Sequence, residues 1–285
     1  MSDTPSISLV SGLASGKGHT DENFPVASWL LKPQHRAPVM AFYAFARLAD
    51  DIADHPTAPE EEKLRLLAHM RSGLEGEGAA EAMMLGRVAR ELRLDLSHAH
   101  DLLDAFVLDC TTRRHADWPA LMAYCRLSAM PVGRYVLDVH GEDRALWPLN
   151  DALCAALQII NHLQDCRKDY LALDRVYLPT DDLAAAGVEV AALDAPAASP
   201  ALLGVIRHLA LQTMDLLRQS APFARGIRDA RLAAEVAVIQ RLAEDLTHGL
   251  LTRDPLSQRV HHTKPRMAGL ALGAVFRLSM TRIFR

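Results

Sequence analysis

The sequence is short of most of the residue types from which redox, metal-thiolate and nucleic-acid sites are built. Its four cysteines, at positions 110, 125, 154 and 166 of 285, fall in no CxxC or related metal spacing. With no signal peptide ahead of them they read as reduced thiols of a cytoplasmic protein, or as small core residues. No apolar run approaches the ~20 residues needed to span a bilayer, so the protein is soluble or at most lies on a membrane surface. A formal net charge of −4 excludes a generally basic nucleic-acid binder. Glycine-rich phosphate loops are missing too. GLASGKG (12–18) is one residue short between its glycines and lacks the Ser/Thr after Lys, while GLEGEG (73–78) sits among helices in the wrong order.

What is present is helix. Half the residues are hydrophobic, only 5% are aromatic, and Ala and Leu dominate. A Ser/Gly-rich segment, 1–22, reads as loose. Beyond it the periodicity predicts helices over 25–31, 36–54, 59–76, 80–94, 98–114, 117–140, 148–171, 200–220, 229–251 and 265–283. Ser97 and Ser199 are the expected N-caps, the latter followed by Pro200 at the first helical position. Residues 174–188 read as a connection with a short helix, and 188–200 as a Pro/Ala-rich loop. With no repeat and no convincing strand, one all-α domain over 23–285 is the economical reading.

The stretch FARLADDIAD (45–54) seats aspartates in an otherwise apolar helix, although charge is seldom buried without a partner. Asp50 and Asp54 project from one face, and Asp51 is turned away by about 100°. A second row, Asn161, Asp165 and Asp169, repeats the spacing over two turns of another apolar helix. Like charges four residues apart repel, so two such rows are a liability unless cations sit between them. All-oxygen donors suit Mg²⁺, with Mn²⁺ as the alternative. Facing rows inside a helical bundle would hold a diphosphate through those ions. Either pair alone reads more simply as a solvated helix face; the recurrence of the spacing argues against that.

FYAFARLADDIAD together with QIINHLQDCRKDYLALDRVYLP resembles the two aspartate-rich signatures of the squalene and phytoene synthases. Between them, YCRLSAMPVGRYVL (124–137) resembles the family's Tyr-Cys…Val-Gly helix, and the likeness runs over residues 22–250 or so. The resemblance implies a single-domain helical bundle of the isoprenoid synthase type with a central apolar cavity, and Mg²⁺-dependent chemistry on isoprenoid diphosphates. ENFPVAS (22–28), Gln164 and RVYLP (175–179) are most similar to the hydroxysqualene-forming branch in bacterial hopanoid biosynthesis. The implied reaction turns presqualene diphosphate and water into hydroxysqualene and diphosphate. Two alternatives stay open: condensation of two isoprenoid diphosphates, as in presqualene diphosphate or phytoene synthases, and a non-catalytic binding or assembly module.

Carried over by position, Asp50, Asp54, Asn161, Asp165 and Asp169 are the implied metal ligands. The four aspartates and Tyr124 are the implied catalytic set. Tyr43, Arg47, Gln158, Gln164 and Arg175 are the implied substrate-binding residues, with Gln164 standing where the family often has arginine. Tyr124, Gln158 or Gln164 could position the water, and each also reads as an ordinary buried polar group. A reductive synthase would need NADPH; none is expected here. Docking to neighbouring pathway enzymes is a further expectation.

Charge is unevenly spread. Residues 255–285 carry six Lys/Arg and no acid, leaving −10 on the rest. Two readings compete for the basic, apolar segment 265–283: the last helix of the bundle, or a peripheral contact with the inner membrane.

Overall fold

The computed structural model describes residues 32–283, so the expected helix over 25–31 and the loose segment 1–22 lie outside it. Twelve helices follow one another among the described residues: α1 (Pro33–Ala53), α2 (Glu60–Glu75), α3 (Ala80–Leu92), α4 (Ser97–Thr111), α5 (Trp118–Ser128), α6 (Met130–Val139), α7 (Trp147–Leu173), α8 (Thr180–Ala185), α9 (Pro200–Ser220), α10 (Phe223–Gly226), α11 (Ala230–Thr252) and α12 (Lys264–Ile283). Short 3₁₀ turns occupy Arg144–Leu146 and Val190–Asp194. No strand forms among them; one isolated bridge pairs Arg114 with Val176. No described helix is long and apolar enough to cross a membrane.

Two expectations are corrected. The span 117–140 is not one helix but two, broken at Ala129. Pro131 has no N–H for the Leu127 carbonyl and its ring crowds that turn, so a new helix starts instead. Gly133 then lets α7 approach: a Cβ there would collide with Asn150 Oδ1 and Cys154 Sγ. Ser97 is not an N-cap but the first residue of α4, and its N–H donates to Asp95 Oδ1 at 2.9 Å. Ser199 does cap α9, its hydroxyl accepting from Leu202 N–H at 3.2 Å.

The core has two parts. Phe42, Phe45, Ile52, Leu67, Leu74 and Leu103 pack α1, α2 and α4 together, with Leu85 joining from α3. A larger cluster built on Leu121, Ile159, Ile160, Ile206, Leu209, Ala233 and Leu250 joins α5, α7, α9 and α11. Phe42 stacks on Tyr135 (ring centroids 4.2 Å apart), whose hydroxyl donates to the Pro38 carbonyl at 3.2 Å, tying α1 to α6. Where the two clusters meet, side chains from both surround a hollow.

Candidate active site

A cavity of about 240 Å³ lies at that junction, lined by Asp50, Asp54, Leu102, Phe106, Asp109, Tyr124, Ser128, Gln158, His162, Asp169, Leu173, Arg175 and Tyr177. Its acids come from three helices. Asp50 lies in the last turn of α1 and Asp54 is its C-cap. There the helix dipole points its negative end at them, so local helix stability gains nothing from carboxylates. Asp169 ends a stripe on α7 in which Gln158, Asn161, His162, Asp165 and Asp169 share one face. Asp109, from α4, completes the set.

Burial first, and repulsion among these charges second, show in their protonation. Burial pushes the Asp50 carboxyl up to about 7, reinforced by Asp54 and partly offset by Arg47. Asp169 also rises to about 7, through burial first and then Asp165, with Lys168 opposing. Burial raises Asp109 to about 6 against the pull of Arg175. Asp50 keeps 38% of its side chain accessible, but that surface opens into the cavity, where protein replaces most of its water.

Arg175 is the principal cation. It donates from Nη1 to Asp54 Oδ1 at 2.5 Å, from Nη2 to the Ala53 carbonyl at 3.0 Å, and from Nε to the Asp109 carbonyl at 3.0 Å. It therefore clamps the end of α1 to α4 as well as balancing charge. Its position follows from the end of α7. Asp174 adopts the left-handed conformation (φ 51°, ψ 34°), which turns the chain back, and Val176 N–H then donates to the Arg113 carbonyl at 3.0 Å. That pairing carries Arg175 and Tyr177 into the cavity wall.

Tyr124 donates its hydroxyl to the Asp109 carboxylate at 2.9 Å, and Tyr177 donates to the same group at 3.1 Å. His162 stacks on Tyr177 with ring centroids 3.5 Å apart and meets Gln158 Nε2 at 3.1 Å. Burial drives the His162 imidazole down to about 3, so it is neutral at physiological pH.

Thus Asp50, Asp54, Asp169, Tyr124, Gln158 and Arg175 share the cavity. Asp165, one turn before Asp169, is more open and meets Lys168 Nζ at 3.4 Å. Asn161 lies on the same stripe. Arg47 bridges Asp50 (2.9 Å) and the buried Asp51 (2.6 Å). Five of the expected residues, Asp165, Asn161, Arg47, Gln164 and Tyr43, are outside the cavity lining. Gln164 is corrected: it is turned off the stripe, and its amide donates to the Val260 carbonyl, so its side chain does not line the cavity. Tyr43, half-buried two turns before Asp50, is also outside the lining. Sequence reasoning misses Asp109, His162 and Tyr177. A lone Asp in AFVLDC is the available signal for the first.

Among the described residues no three acid, His or Cys side chains are close enough to enclose an ion by themselves. The donor set nevertheless fits magnesium, which commonly takes one or two carboxylates and fills its remaining positions with water and substrate phosphate. Carboxylates crowded together and withheld from water, as the raised Asp50 and Asp169 are, are what such an ion would relieve.

Residues 17–266 match the family model for squalene/phytoene synthase. The chain belongs to the squalene/phytoene synthase family. It is 53% identical over 266 residues to hydroxysqualene synthase of Zymomonas mobilis, covering 92% of this chain and 90% of the relative. Presqualene diphosphate synthase of the same organism is 30% identical over 205 residues, covering 70% of each chain. The crystal structure of squalene synthase HpnC from Alicyclobacillus acidocaldarius superposes with a TM-score of 0.71 at 27% identity, covering 85% of this chain and 92% of that one. This chain is accordingly an enzyme of the family, with its all-α fold.

Proposed function

We propose that the enzyme converts presqualene diphosphate and water into hydroxysqualene and diphosphate, with Mg²⁺ or Mn²⁺ held by Asp50, Asp54, Asn161, Asp165 and Asp169. The observation that carries the reading is the meeting of carboxylates from α1 and α7 on one cavity, two of them pushed up to about 7. The greater likeness to a hydroxysqualene synthase than to the presqualene diphosphate synthase of the same organism supports this step over the preceding condensation.

Bound magnesium supplies charge neutralisation for the departing diphosphate. Arg175 adds fixed positive charge at the same end. The carbon–oxygen bond to diphosphate breaks and its electron pair leaves with the diphosphate. Leu102, Phe106 and Leu173 keep water from the resulting C30 cation, while the faces of Tyr124 and Tyr177 favour its positive charge. After rearrangement one water forms the new carbon–oxygen bond. Tyr124 or Gln158 orients it, and the released proton goes to the Asp109 carboxylate behind the Tyr124 hydroxyl.

The test is to incubate purified protein and Mg²⁺ separately with presqualene diphosphate and farnesyl diphosphate, and to identify products by mass spectrometry. Hydroxysqualene from the first and nothing from the second is expected. Presqualene diphosphate formed from farnesyl diphosphate would transfer the enzyme to the condensing step.

A further inference from the structure

α12 packs with only part of its circumference. Leu270, Ala274 and Leu278 line a groove shared with Val236 and Ala237 of α11. Leu272, 74% exposed, and Phe276, 69% exposed, stand on the other side with Val275 and Met280, also exposed. Residues 272, 276 and 280 follow the four-residue spacing that makes one ridge on a helix. Single exposed apolar side chains are ordinary; a ridge of this kind on one helix needs a partner.

Charge selects that partner. Lys264 and Arg277, the latter at the edge of that groove, are exposed and make no ion pair with any described residue, whereas Arg266 is paired with Asp245. The segment 255–285 carries six Lys/Arg and no acid, against −10 on the remainder. A second copy docking through the same face would bring the two basic segments together, which disfavours a symmetric dimer. An anionic lipid surface meets both features at once, with the ridge at the acyl boundary and the cations among the headgroups. Twenty residues make a helix of about 30 Å, enough to lie along the surface. We propose that the exposed face of α12 docks the enzyme on an anionic bilayer, lying in the plane of the interface.

The full-length protein should sediment with vesicles of phosphatidylcholine containing about one-third phosphatidylglycerol at least ~tenfold better than with phosphatidylcholine alone, and less well as salt rises. L272E/F276E should lose about tenfold of that binding. Because these side chains are exposed, its circular dichroism and its turnover of detergent-dispersed substrate should match the parent; L272A/F276A is the milder control if the charged variant misfolds. The proposal is overturned if the parent ignores anionic vesicles, or if both double variants bind them as well as the parent does. It is equally overturned if gel filtration shows a dimer that L272E/F276E splits while no vesicle binding occurs. Sedimentation reads no catalysis, so its failure is distinct from failure of the substrate assignment.

Discussion

Asp50 and Asp169 sit where protein atoms withhold water and other acids stand nearby, so each is more stable protonated than its exposed counterpart. A side chain kept for stability would not be placed there. Asp50→Asn or Asp165→Asn should lower turnover by at least ~10²-fold while leaving the helical circular dichroism unchanged. Asp50→Asn should also raise the melting temperature of the metal-free protein, because it removes the repulsion from Asp54. Full activity in either variant would count against the metal assignment. Arg175 is different: its contacts with Ala53, Asp54 and Asp109 couple charge to architecture. Arg175→Lys keeps the charge but loses the fork, so it should lower both stability and turnover, read by thermal melting and steady-state assay.

Among the helices, small local devices set where each one stops and what it carries. Ser199 starts α9 by accepting from Leu202 N–H, a donor the helix would otherwise leave without a partner. Gly133 governs how closely α6 and α7 pack. Gly133→Ala forces a methyl group into Asn150 and Cys154 and should cost about 1–3 kcal/mol in denaturant unfolding. A neutral result there would mean that the two helices can separate without loss. Gln164 fastens the segment before α12 to α7 through Val260, which accounts for a buried amide that no cavity contact requires.

Across the folded chain, the raised carboxyls at Asp50, Asp109 and Asp169 fix the sign of a pH effect. Their folded values of about 7, 6 and 7 exceed the unfolded value near 3.8. The folded state therefore binds more protons across that interval, and these groups' contribution to stability falls as pH rises through it. His162, held neutral by burial, opposes this trend, so the carboxylate effect is read by difference: chelator-treated parent should melt lower relative to Asp50→Asn at pH 8 than it does at pH 5.5. Mg²⁺ with diphosphate should narrow the gap by stabilising the ionised form. Differential scanning fluorimetry at the two pH values checks this; a gap that ion and diphosphate leave untouched would weaken the reading.

Most helices are legible in the chain because periodicity, the Ser199 cap and Pro200 act over a few residues. The sharing of a face by Asp50 with Asp54, and by Asn161 with Asp165 and Asp169, is legible for the same reason, since it follows from the pitch of one helix. The break at Ala129 also has a local cause in Pro131, although the apolar periodicity runs straight through it. Packing, in contrast, is what brings Asp169 to the cavity of Asp50 and Asp54, adds Asp109 and Tyr177 to them, and turns Gln164 away. Arg175 reaches Asp54 across 121 residues of chain. Contacts of that kind come from helices assembling around a shared core, and no local spacing encodes them.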